Sequence, residues 1–177
     1  ISKIESEEAL ENLDEIIRVS DGVMVARGDL GVAIPLERIP GVQKKIMHKC
    51  HEAGIISIVA TEMLSSMERT VRPTRAEVSD VANAVLDGCD AVMLSGETTI
   101  GKYPVEAVRY MSDICKNAEN YYDYGYQYDY NHDKAITAAV AKAVMAGISE
   151  LDAKAIVVPT MGGHSARVLS NLKPEPI

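Results

Sequence analysis

Short apolar runs alternate with amphipathic helical patterns along this chain, and that alternation restricts its fold more than any other feature. The runs are Ile1–Ile4, Gly22–Ala26, Ile55–Ala60 and Ala91–Leu94. The last three begin about 35 residues apart, and each is apolar throughout instead of alternating with polar residues. Continuous apolar runs are typical of parallel strands that are covered on both faces. Together with the helical patterns between them, they predict an α/β fold with right-handed crossovers.

Amphipathic segments predict four helices around these strands. They are Glu7–Val19, Val42–Ala53, a helix from Thr74 to about Leu86 and one from Pro104 to about Asn120. Gly54 is placed to end the second helix, and Pro104 suits a first turn. Glu77 follows Thr74 by three residues, so we predict a capping box in which each side chain binds the other residue's backbone N–H.

A run of tyrosines separates this pattern from a second unit. Residues 121–134 hold six of the eight tyrosines and show no helical periodicity, so we predict a linker there, flanked by domains at 1–120 and 135–177. The second domain is predicted to contain helix Ala135–Ser149, strand Ala155–Val158, turn Thr160–His164 and helix Ser165–Leu172.

Composition argues against several classes of function. The net charge of -8 argues against a general affinity for nucleic acid or anionic membranes. No apolar run approaches the length of about 18 residues needed to span a bilayer, and no signal peptide is recognisable. Three scattered cysteines without metal-ligand spacing predict reduced thiols in a cytoplasmic protein.

The length of 177 residues is also restrictive. A complete (β/α)8 barrel needs about 200 to 250 residues, so this chain could hold only part of one. Because the chain starts with Ile1 and opens directly on a motif, we expect further sequence upstream.

Polar residues follow each apolar run, at the strand ends where parallel α/β folds carry their active sites. The four groups are Lys3 and Glu5; Arg27, Gly28 and Asp29; Thr61 and Glu62; and Ser95, Gly96, Glu97 and Thr98. Any one of these groups alone would carry little weight. Four groups at equivalent positions predict that their side chains share one site.

Two of these residues are candidate metal ligands. Glu5 and Asp29 are hard oxygen donors, which Mg²⁺ and Mn²⁺ prefer. Lys3 lies two residues before Glu5 on an extended strand, so both side chains project to the same side. A lysine beside such a metal suits a phosphoryl group in transfer. The ordinary alternatives are a helix cap or surface ion pair for each acid, and a solvated strand end for Lys3.

Other residues in these groups could bind an anion or move a proton. Gly28 lets the backbone N–H groups of the turn approach an anion closely, and the Thr61 hydroxyl could donate to the same anion. Ser95 and Glu97 could support proton or water chemistry, or simply cap the next segment. An ordinary strand-to-helix turn accounts for Gly28 equally well.

Taken together, four ordered stretches resemble the pyruvate kinase family. They are residues 1–5, 24–31, 72–77 and 93–98. The step of 24 residues from Glu5 to Asp29 matches as well, and the resemblance continues more loosely over residues 135–177. It implies a partial (β/α)8 TIM barrel comprising the last four β/α units, followed by the first part of an α/β C-terminal domain.

The resemblance implies phosphoryl transfer from phosphoenolpyruvate to ADP, giving pyruvate and ATP. Glu5 and Asp29 would hold Mg²⁺ or Mn²⁺, and Lys3 would stabilise the phosphoryl group. The family also uses K⁺, but the half-barrel that carries the K⁺ site and most nucleotide contacts has no counterpart here. Glu62 stands where the family often has Gln, and this extra carboxylate would change the electrostatics of the site.

Further roles implied by the resemblance concern the substrate's carboxylate and its enolate. The backbone N–H groups of Gly28 and Asp29, with the Thr61 hydroxyl, would bind the carboxylate. Thr61, with Ser95 and Glu97 acting through water, would protonate the enolate to pyruvate.

The turn before the last predicted helix resembles the family's loop for an effector phosphate. The residues concerned are Thr160, Gly163, His164 and Ser165. Two departures weaken the resemblance, because Gly162 stands where Ser is common and His164 where Lys is common.

The resemblance further implies a cytoplasmic homo-oligomer, usually a tetramer, and an isolated fragment that turns over poorly. Two other readings of the residues stay open. A metal-dependent lyase or aldolase acting on a pyruvate enolate would use Glu5 and Asp29 in the same way. A non-catalytic half-barrel could instead serve as an assembly module.

Overall fold

The computed structural model describes residues 1–122, 135–151 and 153–174. The chain divides into two compact units, of which the first comprises residues 1–50 and 55–122. Apart from Tyr121 and Tyr122, the segment predicted as a linker lies outside the described residues. None of the helices in the described ranges is both long enough and apolar enough to cross a membrane.

One parallel sheet of four strands forms the centre of the first unit. The strands are Ser2–Ile4 (β1), Gly22–Ala26 (β2), Ile56–Ala60 (β3) and Ala91–Met93 (β4). They lie side by side in chain order, with Val25 opposite Val59 and Ala60 opposite Met93. The predicted α/β fold is therefore confirmed, and the carboxyl ends of all four strands meet at one edge of the sheet.

Helices connect the strands and follow the last one. The α-helices of the described residues are Glu7–Glu11 (α1), Leu13–Arg18 (α2), Arg27–Ala33 (α3), Ile39–Ala53 (α4), Arg75–Leu86 (α5), Gly96–Thr99 (α6), Pro104–Glu119 (α7), Ala135–Leu151 (α8) and His164–Asn171 (α9). Short 3-10 helices span Leu36–Arg38 and Ser65–Glu68. Gly54 follows α4 with φ +67°, in the left-handed conformation expected of a glycine that ends a helix.

Three segments differ from their predictions. The first predicted helix is broken into α1 and α2 at Asn12, whose side-chain amide donates to the Glu8 carbonyl and competes with the helix backbone. Helix α3 starts directly after β2, where a turn was predicted. Residues 155–158 form no strand, because a strand needs a paired neighbour and no described segment pairs with them.

The core of the first unit includes the face of the sheet that carries Ile4, Val25 and Val59, which are all buried. On the opposite face, Met24 and Ile58 are only half-buried. Helix α4 adds Ile46, Met47 and Cys50, which are all buried. Burial, followed by the negative charge of Asp90, raises the pKa of the Cys50 thiol to about 12.

The predicted capping box is present at the start of α5 and extends further than the sequence indicated. Thr74 accepts the backbone N–H of Glu77, and the Glu77 carboxylate accepts the backbone N–H of Thr74 at 2.7 Å. The same carboxylate also accepts the Ser66 N–H at 2.7 Å and the Ser66 hydroxyl at 2.6 Å. Glu77 therefore joins α5 to the 3-10 helix that follows β3.

We expect Glu77→Gln to lower the free energy of unfolding by about 1 kcal/mol at neutral pH. Partial burial raises the pKa of Glu77, but hydrogen bonds from Ser66 and Thr74 outweigh this effect and lower it below its ordinary 4.5. A lowered folded-state pKa contributes stability above pH 4.5 that is lost as the pH falls through that pKa. Urea denaturation between pH 3 and 7 would test this. Glu106→Gln, in the first turn of α7, controls for the charge at a helix start. A difference between wild type and Glu77→Gln that stays constant with pH would contradict the prediction.

Candidate active site

The predicted site residues lie where the four strands end. Lys3 and Glu5 are at the end of β1, Asp29 is in the first turn of α3 after β2, and Thr61 directly follows β3. Because the strands are parallel and adjacent, these residues lie at the same edge of the sheet. The structure brings them into two contacting groups, one charged and one built around a backbone N–H.

Lys3 contacts both predicted metal ligands. Its Nζ lies 2.7 Å from Glu5 Oε2 and 3.8 Å from Asp29 Oδ2. The side chains of Lys3 and Asp29 are more than half exposed, whereas Glu5 Oε2 is itself buried. The prediction that Lys3 and Glu5 project to the same side of β1 is confirmed. Two carboxylates on adjacent strand ends thus converge on one cationic group.

The opposite charges of Lys3 and the two carboxylates stabilise one another. The hydrogen bond to Glu5 and the charge of Glu5 raise the pKa of Lys3 above its ordinary 10.5. Desolvation opposes them, and the charge of Asp29 makes the smallest contribution, also upward. The ammonium therefore stays protonated throughout the neutral range. In return, it partly neutralises two acids that would otherwise repel each other.

The carboxylates also fit a divalent metal ion. Glu5 Oε2 is buried yet accepts no aligned hydrogen bond from the described residues, so a hard cation would satisfy an oxygen that is otherwise left with an ion pair alone. No cluster of three or more His, Cys, Asp or Glu side chains in the described ranges is arranged to hold a metal. A metal here would take two protein carboxylates and complete its shell with ligand and water oxygens.

Gly28 and Thr61 form the second group. The Gly28 N–H donates to Thr61 Oγ1 at 2.7 Å, and the Thr61 hydroxyl donates to the Ala60 carbonyl at 2.6 Å. The two groups expected to bind a carboxylate are thus adjacent and bound to each other. A β-carbon added at Gly28 would lie 3.4 Å from Thr61 Oγ1, an ordinary contact, so the protein itself leaves room for a side chain there.

Glu97 lies deeper than its predicted role in proton transfer suggested. Its side chain is 2% exposed. One carboxylate oxygen accepts the Leu64 N–H at 3.0 Å and the other accepts the Ser95 N–H at 2.8 Å. Glu97 therefore joins the segment after β3 to the segment after β4, and neither of these hydrogen bonds involves Thr61.

The main feature that sequence reasoning missed is the burial of Arg27. Its side chain is 7% exposed and pairs with Asp80 on α5 at 2.7 Å. Nη2 also donates to the carbonyls of Thr61 and Glu62, at 2.9 Å and 3.1 Å. Arg27 was visible in the sequence as a polar residue after a strand, but nothing in the sequence links it to Asp80, which lies 53 residues away.

The residues that Arg27 holds have an uncommon backbone conformation. Thr61 has φ +67° and Glu62 has φ +54°, both in the left-handed region that favours glycine. Each such residue costs about 1 to 3 kcal/mol, so it persists only where its surroundings hold it in place. The Glu62 side chain is exposed at the same sheet edge.

The predicted effector turn lies in the second unit. Thr160 Oγ1 accepts the Gly163 N–H at 3.1 Å, and Gly163 has φ +76°. His164 is the first residue of α9, one position earlier than predicted, and Ser165 follows it. His164 and Ser165 are exposed.

Comparison with known proteins gives one consistent result. A family model described as "Pyruvate kinase, barrel domain" matches residues 1–108. The pyruvate kinase of Clostridium perfringens is 51% identical, over 98% of this chain and 38% of that protein. That of Candida albicans is 50% identical, over 99% of this chain and 36% of that protein. A crystal structure of a pyruvate kinase from Cryptosporidium parvum has a TM-score of 0.92 and 46% identity, covering 99% of this chain and 36% of that one.

The chain therefore spans a little over a third of the length of these relatives. None of these three is a lyase, an aldolase or a non-catalytic module, so those alternatives gain no support. Because the family model covers more than half of the residues, and the identity to these relatives is about half over almost the whole chain, this chain belongs to the pyruvate kinase family.

Proposed function

We propose that this chain carries the phosphoryl-transfer and enolate part of a pyruvate kinase, which converts phosphoenolpyruvate and ADP into pyruvate and ATP. The placement of Lys3 against both Glu5 and Asp29 is the observation that carries the proposal. Phosphoryl transfer depends on positioning and on neutralising charge, and this group combines a fixed ammonium with two potential metal ligands.

Glu5 and Asp29 would hold Mg²⁺ or Mn²⁺, which would supply positive charge to the substrate's carboxylate and phosphoryl oxygens. Lys3 would then donate hydrogen bonds to the transferring phosphoryl group. An ordinary lysine pKa of 10.5 already leaves all three ammonium protons available for this role at neutral pH. Metal and lysine would together offset the negative charge that the reaction gathers at this edge of the sheet.

Gly28 and Thr61 would bind the other end of the substrate. A carboxylate that replaces Thr61 Oγ1 as the acceptor for the Gly28 N–H would also be within reach of the Thr61 hydroxyl. The Asp29 N–H would add a further donor. For the protonation of the enolate, we propose the Thr61 hydroxyl, with Ser95 and Glu97 connected through water. The buried Glu97 would take part mainly by fixing the Ser95 backbone.

The proposal extends to the parts of the family architecture that resemblance implies. The four strands would be the last four of an eight-stranded barrel, with residues 135–177 beginning a C-terminal domain after a linker at 121–134. The whole enzyme would be a cytoplasmic homotetramer that also uses K⁺. An effector phosphate would bind at Thr160, Gly163, His164 and Ser165, where Gly163 supplies the left-handed turn.

Oxalate binding tests the site directly, since oxalate is a planar dianion that resembles the pyruvate enolate. We expect the protein to bind oxalate only when Mn²⁺ is present, as measured by calorimetry. Gly28→Ala should weaken this binding by about tenfold or more, because the added methyl group would occupy space that the bound carboxylate needs. The folded protein should tolerate the substitution, since the methyl group makes only ordinary contacts with Thr61.

Gly41→Ala is the matched control, because a β-carbon at Gly41 meets nothing within 4 Å. Its oxalate affinity should equal that of the wild type. Equal binding with and without Mn²⁺ would contradict the proposed function, and unchanged binding in Gly28→Ala would remove Gly28 from it.

A further inference from the structure

The segment after β3 has two consecutive non-glycine residues in the left-handed region. Thr61 is the harder of the two to hold there, because its branched β-carbon crowds the backbone at positive φ. The Thr61 hydroxyl nevertheless has a defined place, since it accepts the Gly28 N–H at 2.7 Å. Something outside the segment must therefore select this conformation over the extended one.

Arg27 is placed to select it. Its Nε and Nη2 both donate to the Thr61 carbonyl, at 3.2 Å and 2.9 Å, and Nη2 donates to the Glu62 carbonyl at 3.1 Å. With residues 61 and 62 in their left-handed backbone conformation, both carbonyls face the one planar guanidinium group. A lysine in this position would have a single nitrogen and could not form the same fork.

Asp80 offsets the energetic cost of burying the Arg27 guanidinium. Burying an unpaired cation is strongly unfavourable, and Asp80 contacts Arg27 through both carboxylate oxygens, Oδ1 at 2.8 Å from Nη1 and Oδ2 at 2.7 Å from Nη2. Since Gly28 follows Arg27 directly, the side chain of one residue and the N–H of the next hold Thr61 from two sides.

We propose that Arg27, anchored by Asp80, is a positioning residue that fixes the Thr61 hydroxyl in the orientation needed at the substrate site. The inference rests on the proposed function for what Thr61 binds, but its structural part can be tested without any ligand. Arg27 itself does not touch the substrate in this scheme. It acts through the backbone of residues 61 and 62.

The test uses Arg27→Lys, which retains the positive charge opposite Asp80. Oxalate affinity in saturating Mn²⁺ should fall by about tenfold to a hundredfold, since small misplacements at a site cost factors of this size. The affinity for Mn²⁺ alone should stay within about twofold of wild type, because Glu5 and Asp29 keep their positions. General loss of structure would weaken both.

A second substitution distinguishes positioning from any other effect. Glycine adopts positive φ without strain, so Glu62→Gly in the Arg27→Lys background should recover at least about threefold of the lost affinity. Glu62→Ala in the same background removes the same carboxylate but keeps the strain, and it should recover none. Equal oxalate affinities for the two double variants would overturn the proposal.

A third measurement tests the structural part of the proposal without any ligand: the backbone chemical shifts of residues 61 and 62 in the ligand-free protein. Arg27→Lys should move these shifts from left-handed toward extended values, and unchanged shifts would overturn the proposal even if no ligand binds. If the wild-type protein does not bind oxalate in the presence of Mn²⁺, that result would instead contradict the proposed function. Should Arg27→Lys fail to fold, Asp80→Asn takes its place with the same pair of Glu62 substitutions, the same shifts and the same criteria.

Discussion

Replacing Glu97 with alanine is expected to destabilise the first unit by about 3 to 5 kcal/mol, since each hydrogen bond to a charged group contributes about 1.5 to 3 kcal/mol. Glu97 is the acceptor for two backbone N–H groups, those of Leu64 and Ser95, and it is buried. Truncation would remove the acceptor of both donors at a buried position. It would also separate the segments that follow β3 and β4.

Chemical denaturation followed by circular dichroism measures this loss. Glu15→Ala is the control, because Glu15 is exposed on α2 and its truncation should change the stability by no more than about 0.5 kcal/mol. Glu97→Gln should lie between the two, since its carbonyl can still accept one N–H while its NH₂ group faces the other donor. A loss below about 1 kcal/mol in Glu97→Ala would show that the two N–H groups find other partners.

Much of the fold could be predicted because it follows from regular patterns. Four apolar runs of suitable length and spacing were enough to place the strands to within two residues. The contact between Lys3 and Glu5 followed from the two-residue period of a strand, and the arrival of Asp29 beside them followed from parallel pairing of β1 with β2. The contacts of Lys3 with Glu5 and Asp29 could therefore be predicted from the sequence.

The supporting contacts could not be predicted, because they join residues that are far apart and often use the backbone. Arg27 meets Asp80 and the carbonyl of Thr61, and Glu97 meets the N–H of Leu64. The type of a residue does not indicate which distant backbone carbonyl its side chain will contact. Glu97 was predicted to take part in proton transfer or to cap the next segment, but its contact with the Leu64 N–H, 33 residues away, could not be predicted. The strand predicted at 155–158 was wrong for a related reason, because its formation depends on a partner strand and not on its own apolar residues.

Substitutions in the charged group should change metal affinity in opposite directions. Glu5→Gln removes one of the two carboxylates that converge on Lys3, and we expect the Mn²⁺ affinity to fall by about a hundredfold. Loss of a group that only hydrogen-bonds to a metal ligand already lowers metal affinity by about ten- to a hundredfold. Loss of a ligand itself should therefore lower the affinity by at least about a hundredfold. Glu8→Gln, exposed on α1, controls for the change in net charge.

Lys3→Met should instead raise the Mn²⁺ affinity several-fold, because it removes an ammonium that lies 2.7 Å from one ligand oxygen and 3.8 Å from another. The same substitution should abolish phosphoryl transfer, since the group that would neutralise the phosphoryl oxygens is gone. Mn²⁺ electron paramagnetic resonance gives the affinity, and a coupled assay of ADP-dependent pyruvate formation in the enzyme that contains this chain gives the transfer rate. Weaker Mn²⁺ binding in Lys3→Met would show that Lys3 organises the two carboxylates more than it competes with the metal, and retained transfer would exclude it from the reaction.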